Sequence, residues 1–98
     1  MKITLSKFGT MLTSRQSGRE AFAAFQPMLG TVGEAETIEV NFDDITTFSP
    51  SWGDEFLRPL QEAYGRRLFL KPSVNPSVQV TLEILEEAHK MKFQKSPA

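Results

Sequence analysis

The run Ser49-Pro50-Ser51-Trp52-Gly53-Asp54-Glu55 gathers two hydroxyls and two carboxylates between an alternating stretch and a helical stripe. That places them where a strand hands over to a helix. Unpaired amides and the positive end of the helix dipole collect at such a junction, and sites in open α/β sheets favour it. Ser51 reads as the N-cap of the helix, its hydroxyl taking up one of the free amides. A phosphate on Ser51 is electrostatically compatible with a helix start. Asp54 and Glu55 in the first turn complement the dipole and present an acidic pair to a partner. They do not read as a general acid and base, because adjacent helical residues diverge by about 100° and no nucleophile accompanies them. Trp52 reads as a core anchor.

Other chemistries are excluded or argued against by residue type. The 98 residues contain no cysteine and one histidine, His89. Disulfides, thiolate metal sites and cysteine nucleophiles are therefore absent, and a histidine-rich metal site or a Ser-His-Asp triad has too few histidines. Asp43-Asp44 lacks further ligands at useful spacing and reads as a solvated turn. No catalytic residue, cofactor or metal is expected. Lys plus Arg number 11 against 12 for Asp plus Glu, a net charge of −1. That balance argues against a nucleic-acid partner, which needs a basic face; Lys90, Lys92 and Lys95 are too few to supply one. No stretch reaches the ~18 apolar residues of a membrane span. The alternation over residues 1–8 does not resemble a signal peptide. A cytoplasmic protein with no membrane partner is expected.

The elements that must position the junction follow from periodicity. With 40% hydrophobic residues the chain suffices for one small core. Lys2 to Phe8 alternates as a strand, and Met11-Leu12 reads as its return in a hairpin. Thr13-Ser14-Arg15-Gln16 has capping-box spacing; Gly18, Ala21, Phe22, Phe25, Met28 and Leu29 then form a helical stripe, with Pro27 distorting its last turn. Thr37 to Phe42 is the clearest strand. A second stripe runs through Trp52, Phe56, Leu57, Leu60, Ala63 and Tyr64, with Asp54–Arg58 and Glu62–Arg66 as outward i, i+4 pairs. Pro59 is expected to kink this helix, and Gly65 to end it. Arg67 to Lys71 is a short strand. Asn75 caps a third helix with Pro76 at its first position, running to His89 or Met91, where His89 suits the dipole. The domain spans residues 1–91, and residues 92–98 are expected to form a frayed, flexible tail. Alternating strands and helices imply a sheet with parallel pairs.

The series Ile38-Glu39-Val40-Asn41-Phe42, Ser49-Pro50-Ser51 and Trp52-Gly53-Asp54-Glu55 resembles the STAS-like family of unknown function, bacterial relatives of the STAS domains of anti-sigma factor antagonists. In that family an apolar strand ending in Asp-Phe runs into a Ser-containing loop, and a helix opens with an aromatic, a small residue and Asp-Glu. Asn41 stands where the family usually has Asp. Ser14-Arg15 with Gly18-Arg19 is similar to the family's start of the first helix, and Asn75 fits before the last. The resemblance covers residues 3–88. The phosphorylatable Asp-Ser-Ser-Gly motif of STAS domains proper aligns with Ser49-Pro50-Ser51-Trp52, and Ser51 falls on the phosphorylated serine. Ser49, Pro50 and Trp52 depart from that motif, and Pro50 stiffens the loop against a kinase.

The resemblance implies a small α/β sandwich, a mixed sheet of about four strands with three helices. It also implies a non-enzymatic regulator acting by protein–protein contact, with a histidine-kinase-like ATPase or an anti-sigma factor as partner. Ser49, Ser51, Asp54, Glu55 and Arg58 are the expected docking residues, and Ser51 the expected phosphorylation site. The competing reading is a small nucleotide-binding or enzymatic domain built on the Ser-rich loop; it lacks a Gly-rich phosphate loop. The oligomeric state is not fixed by the sequence.

Overall fold

Ile3, Ile38, Val40, Leu68 and Leu70 are fully buried, and the short strands that carry them lie side by side in the computed structural model, which describes residues 1–97. Along the chain run β1 (Lys2–Thr4), a 3-10 turn (Leu5–Phe8), β2 (Met11–Leu12) and α1 (Arg15–Leu29). Then come β3 (Ile38–Asn41), β4 (Thr47–Phe48), α2 (Pro50–Tyr64), a second 3-10 turn (Gly65–Arg67), β5 (Leu68–Leu70) and α3 (Pro76–His89). One sheet has the order β1-β3-β5, with Ile3 opposite Val40 and Val40 opposite Leu70. A second, smaller sheet pairs β2 with β4.

Every one of these pairings is parallel. The expectation of a single mixed sheet of about four strands is therefore corrected to five short strands in sheets of three and two. Parallel neighbours need long crossovers, and α1 and α2 supply them. The expected hairpin is corrected for the same reason. After Thr4 the chain coils into the 3-10 turn, which buries Leu5 completely and turns Phe8 onto the rings of Phe25, Phe56 and Trp52. Met11-Leu12 thus arrives beside Thr47-Phe48 instead of returning along β1.

The helices begin as their sequences dictate. Ser14 Oγ accepts from Ser17 N at 3.0 Å at the start of α1, so the cap is Ser14 alone and the box between Thr13 and Gln16 is not formed. Asn75 accepts from Ser77 N at 2.8 Å, and Pro76 opens α3. α2 continues through Pro59 to Tyr64. Beyond Gly65, Arg66 lies in the 3-10 turn, so Glu62 pairs with Arg58 at 3.3 Å and not with Arg66. The buried stripes are Gly18, Ala21, Phe25 and Leu29 on α1; Trp52, Phe56, Leu57 and Leu60 on α2; and Val78, Thr81, Leu82 and Leu85 on α3. Met28 and Ile84, placed on or beside these stripes by periodicity, are half-exposed.

The flexible tail over residues 92–98 is also corrected, as far as the described residues reach. Phe93 and Ser96 are buried, and residues 93–96 lie along β5, with Leu70 N donating to Gln94 O and Ser96 N to Leu70 O. The physical reason is the open edge of β5, whose backbone groups need partners.

Candidate functional site

The β4–α2 junction is fixed by Ser49, and this corrects the expected cap. Ser49 has extended backbone (φ −106°, ψ 156°) and its Oγ accepts from Trp52 N at 3.3 Å. The same hydroxyl donates to Thr13 O at 2.6 Å, tying the loop before α1 to the start of α2. Pro50 is the first helical residue and Ser51 the second. A proline with fixed φ is well suited to that first position, which pushes the cap two residues upstream of Ser51. Ser77 Oγ accepts from Phe48 N at 2.8 Å, and the Ser77 and Thr81 hydroxyls donate to Phe48 O, so β4 is pinned to α3 as well.

Ser51 is left free. No hydrogen bond to its hydroxyl forms among the described residues, where Ser49 is bonded at both ends. It lines a shallow cleft of about 240 Å³ between the first turn of α2 and the outer face of α3, together with Pro50, Arg15, Ile84, Ala88 and His89. The two serines therefore have separate roles. Ser49→Ala is expected to lower stability by about 1–2 kcal/mol through loss of the cap and the Thr13 bond. Ser51→Ala is expected to stay within about 0.5 kcal/mol. Urea melts of the two variants check this; equal losses would show that the cap is shared.

Asp54 and Glu55 lie one turn further on and are not free acidic groups. Arg15 of α1 reaches Asp54 Oδ2 at 3.0 Å and Glu55 Oε1 at 3.1 Å. Arg58 Nε meets Asp54 Oδ1 at 3.1 Å, as the i, i+4 spacing predicts, and His89 Nε2 of α3 meets the same oxygen at 2.8 Å. Arg19 lies 3.5 Å from Glu55. Asp54 thus joins all three helices. Of the expected docking residues, Asp54 and Glu55 are partly buried in this network, while Arg58 keeps 41% of its side chain exposed.

Two contributions compete at Asp54. Burial alone would raise its pKa, but hydrogen bonds from Arg15 and His89 and the charge of Arg58 outweigh it, so the carboxyl sits below its ordinary 3.8. Arg15 is correspondingly raised, first by Asp54 and then by Glu55. A depressed carboxyl stabilises the fold above its unfolded pKa, and the contribution is lost as pH falls through the folded value. Asp54→Asn is therefore expected to be less stable than the native chain at pH 7, with the gap closing below about pH 4. A gap constant between pH 7 and pH 2.5 in urea melts would contradict this.

His89 and Arg15 are the members of this site that sequence spacing misses. His89 reads locally as a helix-end charge, and Arg15 as an exposed side chain after a cap. Only the crossing of the three helices brings both to Asp54. Among the described residues no group of His, Asp and Glu is arranged to hold a metal ion, and no helix is long and apolar enough to cross a membrane. Asp43 and Asp44 form a turn: Asp43 N donates to Asn41 Oδ1 at 2.7 Å, and Asp44 takes a left-handed conformation at φ 65°. Comparison with family models, with curated proteins and with solved structures returned no match.

Proposed function

We propose that this protein is a non-enzymatic regulator with a STAS-like sandwich, acting through protein–protein contact at the β4–α2 junction. Its partner in this reading is a histidine-kinase-like ATPase or an anti-sigma factor, and phosphorylation of Ser51 is the switch. The observation that supports it is the division of labour between the serines. Ser49 holds the junction, and Ser51, which the fold does not need, faces a shallow cleft beside half-exposed Ile84. A cleft of this form, apolar at Pro50, Ile84, Leu85 and Ala88 and polar at Arg15, Asp54 and His89, suits a protein surface better than a small substrate, which favours deeper enclosure.

A phosphate on Ser51 brings about −1.5 to −2 charges to the first turn of α2. The positive end of the helix dipole favours it, and Arg15 lines the same cleft. Asp54, three residues on and on the same helix face, opposes it. Arg15 then has a second anion to choose, so the Asp54 network is drawn toward the junction and the docking surface changes in charge and shape.

The test is co-purification from the native host with native protein, Ser51→Asp and Ile84→Glu, the last an exposed substitution that spares the ion pairs. Recovery of an ATPase of that type with native protein, and its loss with both variants, is expected. Equal recovery with all three, or specific nucleotide binding by the isolated protein, would overturn the reading.

A further inference from the structure

The edge of β5 is occupied by the chain's own C-terminal segment, and the way it is held differs from the rest of the sheet. Its backbone contact with β5 is one parallel bridge, Leu70 with Lys95, made by Leu70 N to Gln94 O at 2.8 Å and Ser96 N to Leu70 O at 2.9 Å. Gln94 Nε2 adds bonds to Arg66 O at 2.8 Å and Leu68 O at 3.1 Å. Phe93 is the single apolar anchor, 6% exposed, and its N–H donates to Glu86 Oε2 at 2.8 Å. Lys92 lies 3.9 Å from the other Glu86 oxygen, and Lys95 lines a cleft with Glu83 and Glu86.

Unpartnered buried oxygens mark the segment as loosely fitted. Ser96 Oγ is buried without a partner, as is Gln61 Oε1 in the cleft that Phe93 also lines. The chain leaves α3 through a left-handed Lys90 at φ 51°, whose N–H and that of Met91 close the helix end, so this turn stands whether or not the segment is docked. Release lets water reach both orphan oxygens, at the cost of one aromatic anchor and a few hydrogen bonds. Such segments open locally, well below the free energy of global unfolding.

We propose that the β5 edge is a strand-acceptor surface, and that residues 92–96 are its ligand in cis. The partner it fits is an extended segment from another protein with the same pattern: an aromatic residue flanked by lysines, followed by a small residue, adding in parallel to β5. Its backbone takes over the Leu70 bonds, its aromatic residue the Phe93 hole, and its first lysine the Glu86 carboxylate. This is strand addition at a sheet edge, with affinity from main-chain bonds and specificity from alternate side-chain pockets.

The test uses the full chain and a labelled peptide with the sequence of residues 91–97, read by fluorescence anisotropy. Native protein is expected to bind weakly, because its own segment competes. Phe93→Ala and, independently, Ser96→Pro, which removes the N–H to Leu70 O without touching the core, are expected to bind the peptide at least about tenfold more tightly, since the competent fraction rises. A scrambled peptide is expected to bind none of them. No gain in a variant that circular dichroism shows to be folded overturns the proposal; if Phe93→Ala does not fold, Ser96→Pro decides. A variant that forms a stable dimer without taking up peptide also overturns it, in favour of exchange between copies.

Discussion

Trp52→Ala is expected to lower the unfolding free energy by about 3–5 kcal/mol, the largest loss from any single side chain here. A domain of this size has a total of about 5–15 kcal/mol, so the variant stands at the edge of unfolding. The magnitude follows from position. Trp52 is 0% exposed, stacks on Phe56 at 4.9 Å between centroids, and meets Phe48 at 6.0 Å and Phe8 at 6.2 Å. Removing it leaves a cavity bordered by three rings that belong to β4, α2 and the first 3-10 turn, and these cannot all collapse into it. Trp52→Phe is expected to cost far less, about 1 kcal/mol. Part of that economy is polar: the indole N–H is buried with no partner, and phenylalanine removes the unsatisfied donor along with the lost volume. The chain has one tryptophan, so both melts must be followed by far-ultraviolet circular dichroism. Equal losses for the two variants would show that the indole N–H has a partner and that a phenyl ring restores none of the packing.

The helices and the strands β3 and β5 were legible because each carries a local signal. Ser14 and Asn75 cap, Pro76 opens a helix, Gly65 closes one, and Ile38-Glu39-Val40 alternates. What was not legible depends on what the chain meets elsewhere. The alternation of Lys2 to Phe8 fits a strand throughout, yet Leu5 and Phe8 are taken by the aromatic core and the strand stops at Thr4. Thr47-Phe48 is too short to show a period, and it is a strand only because Met11-Leu12 lies beside it. Residues 92–98 read as a polar tail, since one phenylalanine among lysines does not outweigh the composition. The order of residues 93–96 comes from the edge of β5. At the site, Ser49 and Ser51 are both good caps by type, and Pro50 decides between them by holding the first helical position. The Asp54–Arg58 pair follows from spacing, but Arg15 and His89 reach Asp54 from positions 39 and 35 residues away, which no local rule connects.

Gly18→Ala is the second large effect, and its sign runs against helix propensity. In a solvent-exposed helix interior, alanine is better than glycine by about 1 kcal/mol. Gly18, however, is buried where α1 crosses α2, and a Cβ there would sit 2.7 Å from Trp52 O and 3.1 Å from Trp52 Cα. Both atoms are backbone, so relief requires the two helices to move apart. Overpacking of this kind costs about 1–3 kcal/mol, which exceeds the propensity gain, and Gly18→Val should cost more again. Gly53→Ala provides the comparison. Its Cβ would meet Leu85 Cδ1 at 2.9 Å and Phe48 Cζ at 3.1 Å, both tips of side chains, and a leucine rotamer change relieves the shorter contact. Gly18→Ala is therefore expected to destabilise more than Gly53→Ala in urea melts. It should also loosen Arg15 from Asp54 and Glu55, because the separation of α1 from α2 that admits the methyl group lengthens 3.0 and 3.1 Å ion pairs. The reverse order of stabilities would mean that the helices separate more easily than the Phe48–Leu85 core rearranges. In that case the ion pairs around Asp54, and not the close crossing at Gly18, would be what holds α1 in register with α2.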